Sequence, residues 1–257
     1  MKVIAIANQK GGVAKTTTSL NFGNALAKRG NKVLLIDLDS QSSLSLALGV
    51  REYEERKLSI SDLFNYEIED EEFDATKAIV NIKENLDLLP SDIRLAGVEN
   101  KAIAVMRREF LLRGIINNIS SKVSYDYIII DCSPSLAIYT LNALGASDEI
   151  IVPISPAYLS VSGMKELMGT ISKAQKYLNP NLKLRGCLFT MVDRRSYFVK
   201  RLISNLRENY DTFEAEIPCS IRAVESAEKG VPIIDYDKNS KVALAYETFT
   251  AEYLSEK

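Results

Sequence analysis

The 257-residue chain contains no histidine. That removes imidazole from any scheme of general-base catalysis or metal ligation. Its three cysteines, Cys132, Cys187 and Cys219, show no paired spacing and lie in or beside apolar segments. The expectation is buried free thiols in a reducing, cytoplasmic setting, not a disulfide framework or a zinc site. No apolar run approaches the roughly 18–20 residues that span a bilayer. The chain enters a strand-like run at once, which leaves no room for a secretory leader. There is no internal repeat and no Gly/Ser-rich linker. With 32 basic and 34 acidic residues the net charge is −2, so no global field draws the protein to nucleic acid. What is present, 46% hydrophobic and 26% charged residues, suits a globular protein with one large core. We expect a single domain over residues 1–257.

The most informative segment follows the apolar run Val3-Ile4-Ala5-Ile6-Ala7 and reads Asn-Gln-Lys-Gly-Gly-Val-Ala-Lys-Thr-Thr over residues 8–17. A glycine-bearing turn between a buried strand and a helix gathers backbone N–H groups into one concavity, with a helix N-terminus behind it. Lys15 is placed to neutralise β- and γ-phosphates, and the Thr16 hydroxyl to ligate Mg²⁺. The ordinary phosphate-loop spelling is not met, because Gln9 and Ala14 stand where it has glycines. A second lysine, Lys10, precedes Gly11-Gly12. From the start of the loop its side chain can reach a nucleotide held by a second subunit.

Short, strand-like apolar runs recur at Val33–Ile36, Leu86–Leu89, Tyr127–Ile130, Ile150–Ile154 and Leu184–Met191, and helical periodicity at Thr16–Lys28, Ala102–Asn118, Ser162–Tyr177, Phe198–Asn209 and Lys241–Leu254. Alternation of this kind predicts an α/β fold: one doubly wound, mostly parallel sheet with helices on both faces. Residues 51–80 lack a clear period and are expected to form a surface excursion of short helices. Ligands of such sheets bind beyond the carboxyl ends of the strands. Asp37, Asp39 and Asp131 follow apolar runs at such ends, where one carboxylate can hold a water on Mg²⁺ and another can orient an attacking water.

These segments resemble the ParA/Soj partition ATPases of the wider ParA/MinD group of deviant P-loop ATPases. Lys10-Gly-Gly-Val-Ala-Lys-Thr-Thr17 is similar to the group's phosphate loop, and Asp37-Leu-Asp-Ser-Gln41 to its second motif, with Ser40 for the usual proline. Tyr127–Leu136 is similar to its Walker B segment, with Ser133 for proline, and Leu188–Ser196 and Ile217–Arg222 to two C-terminal motifs. The resemblance implies a P-loop NTPase fold and slow, partner-stimulated ATP hydrolysis. It implies that Lys10 crosses a dimer interface while Lys15 and Thr16 act in cis, that Gly11 to Thr17 (Gly11, Gly12, Val13, Ala14, Lys15, Thr16, Thr17) cradle ATP, and that Pro218 packs the adenine. Asp39 would position or activate the hydrolytic water, and Asp131, with Thr16 and Asp39, would support Mg²⁺. Arg195 and Arg222 match two DNA-contacting arginines.

The same resemblance implies an ATP-dependent homodimer, non-specific binding of double-stranded DNA, a ParB-like adaptor, a cytoplasmic, nucleoid-associated setting and no membrane. Residues 183–207 carry Lys183, Arg185, Arg194, Arg195, Lys200, Arg201 and Arg207 against one acid, Asp193, which makes a basic face possible on a near-neutral protein. Tyr197 and Phe198, in the same stretch, are expected to be packing residues. No helix-turn-helix precedes the phosphate loop, as in the short form of the family. Four alternatives are weighed: a positioning ATPase for another cargo, a MinD-like membrane-associated ATPase, a reductase-type relative with an iron–sulfur cluster between subunits, for which Cys132 has no clear partner thiol, and a biosynthetic ATPase acting on a small acid, for which no substrate pocket is identified. The second needs a basic amphipathic C-terminal helix, whereas this chain ends in a short acidic segment.

Overall fold

The computed structural model describes residues 1–50, 58–135, 138–156 and 161–255. Among them one eight-stranded sheet runs β3-β4-β2-β5-β1-β6-β7-β8. Its strands are β1 (Lys2–Ile6), β2 (Val33–Leu38), β3 (Val80–Lys83), β4 (Leu86–Leu89), β5 (Tyr127–Cys132), β6 (Glu149–Ile154), β7 (Lys183–Val192) and β8 (Thr212–Pro218). All neighbours pair parallel except the edge pair β3–β4. The central strands β2 and β5 are buried at every residue, which is why their sequences run apolar without alternation.

The period of two nevertheless sorts their side chains. Val3, Ala5, Leu34 and Ile36 join one core, and Ile4, Ile6, Val33 and Leu35 the other. The first core is covered by α3 (Ile60–Glu69), α4 (Leu95–Ala102), α5 (Leu111–Ser120), α6 (Ile138–Ala146), α7 (Val161–Tyr177) and α8 (Tyr197–Asn209). The second is covered by α1 (Lys15–Lys28), α2 (Ser43–Ala47), α10 (Ile233–Tyr236) and α11 (Lys241–Ser255), with α9 (Ile221–Glu228) packed beside α2 and α10. An aromatic cluster ties α1 and α11 to the sheet. Phe22 meets Phe249 at 4.9 Å and Tyr253 at 5.0 Å, and Phe213 of β8 meets Phe249 at 4.8 Å.

The sheet and its two helical layers agree with the sequence reading. Four local expectations need correction. The helix expected over 102–118 is two helices, because α4 stops at Ala102 and α5 starts at Leu111, with a 3-10 turn at Arg108–Phe110 between them. The stretch 51–80 does contain short helices, but Ile60, Leu63 and Phe64 of α3 and Ala75 and Ala78 beyond it are core residues, not surface; residues 51–57 lie outside the described residues. Cys132 and Cys187 are buried, whereas Cys219 is exposed because it follows the last residue of β8. Tyr197 and Phe198 are 78% and 64% exposed. The buried stripe of α8 is Val199, Ile203 and Leu206, and an i, i+4, i+7 stripe leaves no place for either ring.

Candidate active site

The order of the sheet puts β1 between β5 and β6, with β2 beyond β5, so the loop after β1 faces the carboxyl ends of β2 and β5. Register brings Asp37 opposite Asp131. Asp131 accepts the Ser19 hydroxyl at 2.9 Å and is also hydrogen-bonded by the Thr16 hydroxyl. Asp37 accepts the Ser45 N–H at 2.9 Å, the Ser45 hydroxyl at 2.7 Å and the Asp39 N–H at 3.2 Å. Asp39 in turn accepts the Gln41 N–H at 3.0 Å, which closes the turn leaving β2. Asp37 and Asp131 are both buried. Burial pushes the Asp131 carboxyl up to about 7, helped by the facing Asp37 charge, and burial, with a smaller push from the Asp39 charge, raises Asp37 to about 6 against the bonds from Ser45 and the Asp39 N–H. Two facing carboxylates with this much proton affinity and, among the described residues, no ion pair are a site where a divalent ion would be welcome.

The loop is shaped by its own backbone. Gly12 and Ala14 both have left-handed conformations, φ 70° and 60°. Ala14 stands where the ordinary motif has glycine, and it adopts the glycine conformation regardless. Asn8 fixes the loop's base, donating to the Pro153 carbonyl at 2.7 Å and accepting from the Lys10 N–H at 3.0 Å. The Thr190 hydroxyl donates to the Val13 carbonyl at 3.0 Å. Ala14 is the N-cap of α1 and offers no side-chain bond to the first turn, so the N–H groups there are left for a ligand.

Lys15 is buried, and its ammonium donates to the Lys10 carbonyl at 3.0 Å. Desolvation lowers its pKa, opposed by Asp131, Cys132 and Asp39. Among the described residues it has no carboxylate in ion-pair contact. A buried ammonium, free helix N–H groups and a facing pair of acids together fit a polyphosphate with a divalent cation. Thr16 and Asp131 would contact or support the metal, with Asp39 beside them. Its chemistry there would be to draw charge from phosphate oxygens.

A cleft of about 310 Å³ opens beside the loop, walled by Ala14 and Thr17 on one side and by Pro218, Val224 and Tyr246 on the other. Its lining is mainly apolar, and Pro218 is one of its residues.

A protein-family description, "AAA domain", matches residues 1–184. Over 248 residues the chain is 38% identical to the sporulation initiation inhibitor protein Soj of Bacillus subtilis, covering 95% of each chain. It is 36% identical to the chromosome partitioning protein ParA of Caulobacter vibrioides, covering 99% of this chain and 94% of that one. The chain belongs to the ParA/Soj family of P-loop ATPases. Among solved structures, the cobyrinic acid a,c-diamide synthase of Mycobacterium smegmatis with bound ATP analog and magnesium superimposes with a TM-score of 0.84 at 33% identity, covering 100% of this chain and 95% of that one.

As a ParA/Soj ATPase the protein uses ATP and Mg²⁺, and the loop, the acid pair and the cleft lie together at the carboxyl ends of the strands. The sequence marked one contributor without fixing its place and missed another. Asp37 was visible as a strand-end acid but is also consistent with a turn residue, and only register shows that it faces Asp131. Ser45 lies eight residues further on, and no spacing rule links it to Asp37.

The basic residues are distributed less simply than the sequence implied. Arg194 pairs with Glu216 at 2.6 Å and Arg207 with Glu216 at 3.2 Å and Glu214 at 3.3 Å. These acids arrive on β8, so the face is not opposed by Asp193 alone. Arg195 pairs with Asp193 at 2.8 Å through a side chain 91% exposed, and Arg222 with Glu225 at 3.1 Å. Among the described residues neither Lys200 nor Arg201 has a side-chain hydrogen bond or ion pair. β7 and β8 run parallel with Val192 opposite Pro218, so Arg195, just before α8, and Arg222, in the first turn of α9, lie at the same end of the sheet as the phosphate loop.

Proposed function

We propose that the protein is a nucleotide-switched partition ATPase whose ATP-bound form is a homodimer that holds double-stranded DNA without sequence preference. The observation that carries this reading is the division of labour between two lysines. Lys15 is buried in its own loop, whereas Lys10 is exposed at the loop's edge and, among the described residues, its ammonium has no partner in its own chain. An unengaged ammonium beside a triphosphate site suits a ligand held by a second copy. Dimerisation would then depend on the γ-phosphate, which is the differential contact a switch needs.

Within each subunit Lys15 and the loop N–H groups of Gly11 to Thr17 hold the phosphates, and Pro218 closes on the base. The Asp39 carboxylate orients the attacking water and takes its proton. With no histidine in the chain, hydrolysis in the isolated protein is slow and open to stimulation by a ParB-like partner.

Arg195, Arg222, Lys200 and Arg201 form the DNA face. Exposed pairs such as Arg195–Asp193 contribute little in water and can be exchanged for phosphates. Two copies double the phosphate contacts, so DNA affinity follows dimerisation, and nucleoid association follows DNA affinity. The MinD-like alternative is disfavoured by α11, whose apolar residues Val242, Tyr246, Phe249 and Tyr253 are already buried in the core.

The test is a gel shift with ATP and Mg²⁺. Arg195→Glu with Arg222→Glu should keep ATP-dependent dimerisation and lose the shift. An unchanged shift would refute the assigned face.

A further inference from the structure

Two aromatic rings stand in solvent on the first turn of α8, among the cations of the DNA face. Tyr197 is 78% and Phe198 64% exposed, so both forgo the burial that favours such side chains. Helical spacing puts Tyr197 on the same face as Lys200 and Arg201, at i+3 and i+4, and Phe198 within reach of Arg201 at i+3. Phe198 and Arg201 line one open depression with Leu202, Ser204, Asn205 and Glu208. Arg194 and Arg195 lie two to four residues earlier, before the N-cap Ser196.

We propose that Tyr197 and Phe198 are a stacking platform for unpaired DNA bases, set beside the phosphate-binding cations; this rests on the DNA reading above. Two flat rings flanked by Lys200 and Arg201 match a strand that offers π-faces and phosphates at adjacent positions. An intact duplex keeps its base faces stacked inside and offers such a ridge backbone and groove edges, but no π-face. A lipid surface would require an apolar stripe along the helix. The outward residues of α8 after the first turn include Arg201, Ser204, Asn205 and Glu208, so its exposed large apolar side chains are these two rings and do not continue as a stripe along the helix. The platform adds a contribution that salt does not screen, and the face should therefore hold single-stranded DNA at ionic strengths that release duplex.

The experiment measures binding of an oligo-dT strand and of a duplex, with ATP and Mg²⁺ present, over a range of salt. It compares the parent with Tyr197→Ala/Phe198→Ala, whose fold is checked by thermal melting. The parent should bind oligo-dT with a shallower salt slope than duplex. The double variant should lose about tenfold or more of the oligo-dT affinity at every salt, with the slope, which counts phosphate contacts, unchanged. The chain has no tryptophan, so Tyr197→Trp gives a single reporter whose fluorescence oligo-dT should quench.

Equal binding by parent and double variant, with no quenching, would overturn the platform while leaving the DNA face standing. Blue-shifted emission of the Tyr197→Trp reporter with anionic phosphatidylglycerol vesicles, and no quenching by oligo-dT, would overturn it in favour of a lipid surface. Failure of the parent to bind any DNA would remove the platform together with the DNA reading, and is distinguished by loss of the duplex signal as well.

Discussion

The absence of histidine makes the facing acids of the active site measurable in the stability of the nucleotide-free protein. Asp131, held near 7, and Asp37, held near 6, both start from an ordinary value of 3.8. In each case the folded state keeps a proton that the unfolded chain has already lost. The sign follows directly: the pair weakens folding progressively as pH rises from about 4 through about 7, because the folded state binds the more protons. Each unit of displacement corresponds to about 1.4 kcal/mol. Between pH 5.5 and pH 8 the pair should therefore remove on the order of 2–3 kcal/mol of stability. No histidine titrates in that window to mask the effect. Glu67, also raised by burial, acts in the same direction and is common to parent and variant. Asp74, Asp92, Asp193 and Asp235 are held below the ordinary value, so they exert their effect in more acid solution. The assay is urea unfolding with chelator at several pH values, for the parent and for Asp131→Asn. The variant removes the larger contribution and the repulsion that it shares with Asp37, so its loss over the same window should fall below about 1 kcal/mol. A parent and variant with equal slopes would refute the argument that these two carboxyls face one another in a dry site.

Other outcomes follow from the same geometry. Ala14 adopts φ 60°, a conformation that costs a residue with a Cβ roughly 1–2 kcal/mol; Ala14→Gly should raise unfolding stability by up to about 1 kcal/mol once the added freedom of the unfolded chain is counted, and a clear loss would contradict the left-handed loop. Gly230, at φ 69°, would place a Cβ 2.9 Å from the Cα of Gly49; Gly230→Ala should cost about 1–3 kcal/mol by forcing α2 from the end of α9, read by thermal unfolding, and no change would show that this contact gives way freely. Asp39→Ala should retain ATP binding while lowering turnover by about tenfold or more, measured by phosphate release, so parental turnover would remove the role assigned to Asp39.

Much of this was legible in the chain. The buried strands β1, β2 and β5 announce themselves as apolar runs because both faces are covered, and the loop after β1 is marked by its glycines and paired lysines. What escaped was set by tertiary context. β8 reads Thr-Phe-Glu-Ala-Glu-Ile-Pro, with Phe213, Ala215 and Ile217 buried in alternation, but its acids obscured an edge strand and hid the partners of Arg194 and Arg207. The period over 102–118 is continuous enough to suggest one helix, but the chain leaves helical conformation after Ala102, passes through turns that include the left-handed Arg107 and the 3-10 turn at Arg108–Phe110, and resumes only at Leu111. Cys219 and the two rings of α8 were assigned to the interior on hydrophobicity alone, whereas exposure depended on where β8 ends and on which stripe of α8 meets the core. In the site, Asp39 and Asp131 were visible as strand-end acids, but their connection through Asp37, Ser45 and Ser19 requires the register of β2 against β5.

The most direct test of the account is the mass of the protein in solution, by light scattering with ATP and Mg²⁺, with ADP and with no nucleotide, for the parent, for Asp39→Ala and for Lys10→Ala combined with Asp39→Ala. The account predicts a mass near twice the monomer for Asp39→Ala with ATP and Mg²⁺, a monomer with ADP or no nucleotide, and a monomer under every condition once Lys10 is also replaced. One mass under all conditions, or a dimer that persists without the Lys10 ammonium, would contradict it.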